Sequence, residues 1–462
     1  LVVVADPSGD GPHNFGHAVP QVDFARFLAA IPSTQTIDHE TWAVAVSGGA
    51  DSMALLRLLA ENLGPNRQKL TALTVDHGLR PAAADEARQV AIWCQNMNIQ
   101  HRTLTVENKA PATGLQAWAR DQRYRVMLQF CRNRGIRRLF LGHHSDDQVE
   151  TVMQRIRRDS GPDGLAGMGR TQLRRGVLLL RPLLGNRHGD LVATCQRFDQ
   201  AWFEDPSNKD HRYQRVRDRC LLSMLPAGGC DREGLRRFAA VMGRLRRVMD
   251  DHLAAFLIAN ARYHSGAWVS LDMVAMRQLP RLPTVLLLSR LLPAIGGADY
   301  PPRSARLARL IDQIHTQNPP RFKATLSGCV LEAKKDSLIL CREWQRVAPL
   351  TCPDDAQWHR WDNRYEIRIA EGFGAVICSS LGEVAWGELR RDQRLGQLTD
   401  SLASLPLQAR SAFPIMRKLD DDSVVHQVKG DLSSQLKGAR RPVELRFQPN
   451  SAFLSAIVYR DF

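Results

Sequence analysis

Between residues 40 and 200, short apolar runs alternate with longer amphipathic stretches. The runs "WAVAVS" (42–47), "LTALTVD" (70–76), "HRTLTV" (101–106) and "RRLFLGHH" (137–144) predict strands, and the segments 52–63, 83–97, 114–134 and 145–158 between them predict helices. Strand and helix in strict alternation is the pattern of a parallel sheet covered on both faces, so the expected fold is α/β with a doubly wound parallel sheet. The segment 83–97 follows Pro81 and carries Asp85 and Glu86 in its first turn, as a helix start should. "RRDSGPDGLAGMG" (157–169) is a glycine-rich connection, expected to be mobile.

Near residue 225 the texture changes. "LPAGGCDREG" reads as a boundary, after which Leu235, Phe238, Met242, Leu245, Met249, Leu253 and Phe256 recur every three or four residues. That spacing predicts a helix with one buried stripe, with Arg236, Arg237, Arg244, Arg246 and Arg247 largely off it. Further helical segments lead to "FKATLSGCVLEAKKDSLILCRE" (322–343), two alternating runs around a Lys-Lys-Asp-Ser turn, which predicts a β-hairpin. "RVAPLTCPDDAQW" reads as a second linker, and the strand-like "YEIRIA", "GAVICSS" and "VELRF" predict a small β-rich α+β domain at the end. The expected division is an N-terminal extension (1–39), a catalytic domain (40–224), a mainly helical middle domain ending in the hairpin (225–345) and a C-terminal domain (355–462).

Composition adds a partner class. The formal charge of +15 favours a polyanion, and all but nine of the 63 Lys and Arg are arginine. An arginine bias from a GC-rich genome reads equally well, so charge alone does not establish nucleic-acid binding. No uninterrupted apolar run approaches a membrane span, and the N-terminus lacks the basic and apolar regions of a signal peptide. Nine cysteines scattered without CxxC pairs predict reduced thiols and a cytoplasmic protein.

The chemistry centres on "AVSGGADSMALL" (43–54). After a strand, tandem glycines turn the chain so that its amides and the unsatisfied N–H groups of the next helix face one spot, which is an anion site. A Walker loop would supply a lysine to the phosphates. Here Asp51 stands instead, and a carboxylate beside phosphates calls for a divalent cation between them. Asp51, Asp76, His77, His143 and His144 all fall at predicted strand ends, where ligands of open α/β sheets bind. In "HHSDDQVE" Asp147 and Glu150 are three apart and Asp146 and Glu150 four apart, each pair on one helical face. That run could also suggest zinc, but carboxylates near phosphate favour Mg²⁺.

Ser47-Gly48-Gly49-Ala50-Asp51-Ser52 matches the SGGxDS loop of the PP-loop ATP pyrophosphatases, which split ATP into AMP and pyrophosphate while adenylating a substrate oxygen. "TVDHGLRPAAADEA" (74–87), "GLQAWARDQRYRVM" (114–127), "GHHSDDQVET" (142–151), "RPLLGNRHGDL" (181–191) and "FEDPSNKDHRYQR" (203–215) resemble signatures of the tRNA(Ile)-lysidine synthetases. The likeness is dense over 40–220, moderate to 345 and thin beyond, where "ARSAFPIM" (409–416) is a faint echo. One departure stands after "DPSN": the family shows R-N-x-[IL]-R, and here Arg215-Val216-Arg217-Asp218-Arg219 lacks the Asn and the aliphatic residue.

The resemblance implies an adenine nucleotide alpha-hydrolase-like fold and a ligase. That ligase adenylates the wobble cytidine of the CAU anticodon of tRNA(Ile) with ATP and then attaches free L-lysine. It implies ATP contacts from Ser47, Gly48, Gly49, Ala50, Asp51, Ser52, Val75 and His77, and catalytic roles for Asp51, Asp147, Arg120 and His143. Asp51 and Asp147 are the expected Mg²⁺ ligands, with either able to serve as the base. Arg123, His144, Asp146 and Glu150 are expected to bind substrate. The expected partners are tRNA(Ile), L-lysine and ATP but no membrane, with a homodimer among the allowed assemblies. The alternatives are a 2-thiocytidine-type thiolation enzyme on the same fold and a non-catalytic RNA-binding relative.

Overall fold

The computed structural model describes residues 16–31, 41–79, 82–111, 113–158, 160–204, 217–218, 220, 231–264, 268–298, 301–316, 321–334, 336–391, 396–421, 423–424 and 443–447. The chain divides into two compact units, Leu1–Arg247 and Val248–Phe462.

The first unit is built on a six-stranded sheet. Its strands are β1 (Trp42–Ala45), β2 (Leu70–Asp76), β3 (Gln100–Thr105), β4 (Arg138–Phe140), β5 (Thr171–Arg174) and β6 (Val177–Leu180), in the order β3-β2-β1-β4-β6-β5. All neighbours pair in parallel except β5 with β6. The helices are α1 (Gln21–Ala29), α2 (Ala50–Leu63), α3 (Ala82–Asn96), α4 (Leu115–Asn133), α5 (Ser145–Arg157), α6 (Pro162–Leu165) and α7 (His188–Arg197).

Alternate residues of each strand feed two cores, as the period of two requires. Val44, Leu70, Ala72, Phe140 and Leu180 join the core under α2, α3 and α7, whereas Ala43, Leu73, Leu139 and Leu179 join the one under α4. Met53, Leu55, Leu56, Leu58 and Leu59 of α2 are fully buried. Each such side chain contributes roughly 1.5–3 kcal/mol relative to exposure, and this anchors the helix that carries Asp51. The helix stops at Gly64, whose positive φ of 52° suits glycine and whose N–H caps the carbonyls of Ala60 and Glu61.

The antiparallel β5–β6 hairpin is not among the strands the patterning predicted. The glycine-rich connection before it carries α6 and is fastened by Gln148. The Gln148 amide donates to the Met168 carbonyl at 3.0 Å and accepts from the Met168 N–H at 2.7 Å. The N-terminal segment brings Val19, Phe24, Leu28 and Ile31 into the core. "DPSN" (205–208) lies outside the described residues, as does most of 215–219; of that stretch Asp218 is wholly buried and pairs with Arg157.

Helix α8 (Arg232–Asn260) begins in the first unit and ends in the second. The expected buried stripe is corrected over its first half. Phe238 and Leu245 are 38% and 57% exposed, while Leu253 and Leu257 are fully buried in the second unit's core. Periodicity identifies residues that share a face; it does not say what packs on it.

The second unit holds a five-stranded antiparallel sheet, β7 (Ala261–His264), β8 (Trp268–Asp272), β9 (Phe322–Leu326), β10 (Cys329–Lys334) and β11 (Ser337–Arg342), in the order β7-β8-β11-β10-β9. The expected hairpin is β10–β11, with β9 added on its edge. Helices Met273–Gln278, Arg281–Gly296 and Ser304–Thr316 cover the sheet through Leu287, Leu291, Ile295, Ile311 and Ile314. Two three-stranded antiparallel sheets follow, in which Tyr365–Ile369, Val376–Ser380 and Val443–Phe447 are the strands expected from the sequence. The stretch read as a linker supplies a further strand, Leu350–Cys352, paired with Val376–Cys378. Asp362 joins the two parts of this unit: it accepts from Arg342 Nε at 2.9 Å and Nη2 at 2.7 Å, and from Arg364 Nε at 2.6 Å. Among the described residues, no helix is long and apolar enough to cross a membrane. The eight described cysteines are unbonded.

Candidate active site

The carboxyl ends of β1, β2 and β4 define the site. β1 ends at Ala45, and the chain turns through Gly48, whose φ of +86° is in the left-handed region. No side chain fits there: a Cβ on Gly48 would stand 2.6 Å from Phe203 Cδ2 and 3.1 Å from Val90 Cγ2. The Gly48 carbonyl accepts from the Phe203 N–H at 2.9 Å, so residues beyond the sheet hold the loop. Gly49 precedes α2 in extended conformation, and its carbonyl takes the Ser52 hydroxyl at 2.9 Å. Ser52 Oγ in turn accepts the Ser47 N–H at 3.1 Å and meets the Ser47 hydroxyl at 3.3 Å. These bonds close the turn on itself, leaving the first N–H groups of α2 at the mouth. Gly142, past β4, packs so tightly beneath that a Cβ would reach the Asp51 carbonyl oxygen at 3.1 Å.

Asp51 sits in the first turn of α2, one-third exposed. His188 Nδ1 donates to its Oδ1 at 2.8 Å, and His144 Nε2 lies 3.4 Å from Oδ2. Burial by itself would raise the Asp51 carboxyl; the two histidine hydrogen bonds outweigh it and hold the group far below the usual carboxylate range. His144 is the buried N-cap of α5. In the neutral ring Nδ1 accepts the Asp146 N–H at 3.3 Å, and in the protonated ring the same nitrogen faces Asp146 Oδ2 at 3.6 Å instead; the His144 N–H donates to Asp147 Oδ2 at 3.1 Å, and the neutral form thereby completes a reciprocal capping box. Its Nε2 therefore faces the carboxylates, with Asp147 Oδ2 at 3.5 Å and Asp51 Oδ2 at 3.4 Å. Burial opposes protonation, but the Asp51 hydrogen bond and the charges of Asp147, Asp51 and Asp146 raise the His144 imidazole to about 9.

His143 has the opposite environment. Burial first, then Arg181, Arg120, His144 and Arg123, push its imidazole well below the ordinary value, so it stays neutral. Its Nδ1 is buried without a hydrogen-bond partner among the described residues. Arg120 and Arg123 lie exposed on α4, and Arg120 rests 5.4 Å over the Tyr124 ring. His77, after β2, is lowered by burial and by Arg123, and its ring stands 6.2 Å from Trp118. Val75 is half-buried on β2, against the α4-side core.

Asp146 lies at the rim, accepting from the His188 N–H at 3.1 Å and 3.7 Å from Arg232. Glu150 is only 3% exposed, inside the fold rather than at the rim. Asp51, Asp147, Asp146 and His144 thus form one cluster, and His143 sits with the arginines beside it.

Two residues of the site carried no role in the sequence reading. His188, the first residue of α7, contacts Asp51 across 137 positions. Arg181, 3% exposed, donates to the Gly169 carbonyl at 2.9 Å and to Gln172 Oε1 at 3.0 Å while adding positive charge near His143. Both lie in "RPLLGNRHGDL", and that likeness was the only signal that could have marked them.

Residues 20–224 match the family model described as a PP-loop domain. The tRNA(Ile)-lysidine synthase of Ruegeria pomeroyi is 36% identical over 72% of this chain and 80% of its own length. That of Mesorhizobium japonicum is 35% identical over 81% of this chain and 82% of its own. The protein of the same name from Rhodopseudomonas palustris is 37% identical over 64% of this chain and 89% of its own. Taken with the closed Ser47–Ser52 loop and the carboxylates gathered beside it, this similarity shows that the chain belongs to the tRNA(Ile)-lysidine synthase family.

Proposed function

We propose that this protein uses ATP to adenylate the wobble cytidine of a CAU-anticodon isoleucine tRNA and then joins free L-lysine to it. The observation that carries the reading is the loop Ser47–Ser52 at the sheet's carboxyl edge, with Asp51 and Asp147 both within 3.5 Å of His144 beside it. In the first step the carbon-2 oxygen of the base attacks the α-phosphorus, and the α–β phosphoanhydride bond breaks to release pyrophosphate. In the second, the lysine ε-amine attacks carbon 2, the carbon–oxygen bond breaks, and AMP leaves with that oxygen.

The chain's residues divide this work by environment. Loop amides and the Ser47 and Ser52 hydroxyls receive the phosphates, and Val75 and His77 line the nucleotide from β2. Arg120 and Arg123 face the charge that builds on the α-phosphate, where fixed guanidinium groups act most strongly. Asp51 and Asp147 would hold Mg²⁺; the fit rests on the donor set, two carboxylates gathered beside the loop and each within 3.5 Å of His144, since this ion takes oxygen ligands. Bound there, the ion would supply charge neutralisation for the phosphates. Because the Asp51 carboxyl is held so far down, Asp51 is a poor proton acceptor, and of the two carboxylates the base role falls to Asp147. The formal net charge of +15 is compatible with a polyanionic partner such as RNA.

The thiolation alternative needs reactive cysteines. In the first unit, burial pushes the thiols of Cys94, Cys131 and Cys195 to about 12, which disfavours thiolate chemistry there. The test is incubation with ATP, labelled lysine and CAU-anticodon tRNA. Incorporation of lysine with stoichiometric pyrophosphate and AMP is expected. Pyrophosphate release without lysine incorporation would overturn the lysidine reading while leaving ATP cleavage in place. Asp51→Ala should abolish both and leave tRNA affinity within about two-fold; undiminished turnover would refute the role given to that carboxylate.

A further inference from the structure

His188 gives the site a donor set that the loop motif does not contain. A carboxylate oxygen of Asp51 and one ring nitrogen each of His144 and His188 all lie within 4.8 Å of one another. His188 Nδ1 stands 2.8 Å from Asp51 Oδ1 and His144 Nε2 3.4 Å from Oδ2, so the two rings flank the carboxylate, and small side-chain shifts bring one oxygen and both nitrogens to the spacing of ligands that share a tetrahedral ion at about 2.0–2.2 Å. Two imidazoles with one carboxylate suit zinc, cobalt or a similar borderline ion, whereas Mg²⁺ prefers oxygen donors alone.

The surroundings are those of a built site. His144 is buried, and Asp146 Oδ2, 3.6 Å from its Nδ1, is placed to take the Nδ1–H, which leaves Nε2, facing Asp51, as the nitrogen open to a metal. His188 is held at the N-terminus of α7 by its own N–H bond to Asp146 Oδ2, and its side chain is 55% exposed. The exposed imidazole leaves a path from solvent and room for water as a fourth ligand. The two rings stand 5.6 Å apart between centroids, both turned toward the same carboxylate.

We propose that Asp51, His144 and His188 form a site for a borderline divalent cation of the zinc class, sharing Asp51 with the Mg²⁺ that accompanies ATP. The two ions are therefore exclusive, and a zinc-class ion holds the enzyme in a state that cannot take up Mg·ATP. The exclusion rests on the function proposed above; the metal site itself does not.

The test uses the full chain without tRNA or lysine, so its failure is separate from failure of the lysidine reaction. Titration with Co²⁺ should give visible absorption bands of a four- or five-coordinate ion, saturating at one per chain. Zn²⁺ should bleach them, and millimolar Mg²⁺ should not. His188→Ala and Asp51→Asn should each weaken Co²⁺ about ten-fold or more, while His101→Ala, on β3 and bonded to Thr74, should bind as the parent does. Circular dichroism checks that the exposed His188→Ala variant is folded. Absence of saturable bands, or equal affinity in His188→Ala, would overturn the site. Adding ATP with Mg²⁺ should weaken Co²⁺ binding about ten-fold; no change would overturn the sharing of Asp51.

Discussion

His144 offers a measurement of how strongly the fold holds the carboxylates together. Its imidazole rises from 6.5 to about 9, because the Asp51 hydrogen bond and the charges of Asp147, Asp51 and Asp146 exceed the opposing effect of burial. The folded value lies above the unfolded one. The protonated ring therefore contributes its full stabilisation below pH 6.5, loses it as pH rises, and contributes none once pH has passed about 9. An interval of about 2.5 pH units at about 1.36 kcal/mol each corresponds to roughly 3 kcal/mol. The lowered Asp51 carboxyl expresses the same pairing from the other side and is not added to it. The perturbation is His144→Asn, which retains an N-cap side chain while removing the titrating ring. Denaturant unfolding of the first unit in metal-free buffer, from about pH 6 to about pH 10, should show parent and variant converging by roughly 3 kcal/mol, with a slope no steeper than about 1.4 kcal/mol per pH unit. By NMR, the imidazole signal missing from the variant should titrate near 9 and move down in Asp51→Asn. A stability difference that stays constant over this range would refute the reasoning.

Three further outcomes follow from contacts elsewhere. Gly48→Ala places a side chain at positive φ and 2.6 Å from the Phe203 ring. Strain of about 1–2 kcal/mol and overpacking of about 1–3 kcal/mol should appear in denaturant unfolding, together with loss of ATP binding by calorimetry. Gln148→Ala removes both bonds to Met168 and should destabilise the first unit by about 1–3 kcal/mol, with faster protease cleavage between residues 160 and 170; an unchanged cleavage rate would count against the fastening role. Asp362→Asn strands the buried guanidinium groups of Arg342 and Arg364 and should cost the second unit about 3–5 kcal/mol, read as an earlier unfolding transition.

Much of the first unit was legible because its signals are local. The strand at 70–76 is found at the expected residues, and the helices expected at 114–134 and 145–158 run Leu115–Asn133 and Ser145–Arg157. The ladder there demands β-branched and apolar runs, and a helix can carry its own start, as Pro81 with Asp85 and Glu86 does for Ala82–Asn96. The β5–β6 hairpin was missed because its two four-residue strands are too short to show a period and are separated by a turn at Arg175, which adopts a positive φ of 51°. The stripe on α8 was over-read in its first half for a related reason: periodicity orients a helix but cannot supply its neighbour.

For the site, the sequence by itself determined the loop. Glycines at 48 and 49, hydroxyls at 47 and 52 and the carboxylate at 51 are a contiguous chemical statement, and their placement after a strand and before a helix sets where they face. Only the tertiary structure decided what each group can do. Adjacent histidines acquire opposite charge states because His144 meets three carboxylates while His143 meets burial and three arginines. His188 reaches Asp51 from 137 residues away, through the packing of α7 against α2. Backbone geometry follows from near neighbours in the chain, whereas protonation and ligand sets follow from desolvation and charge at a few ångströms, which the parallel sheet alone brings together.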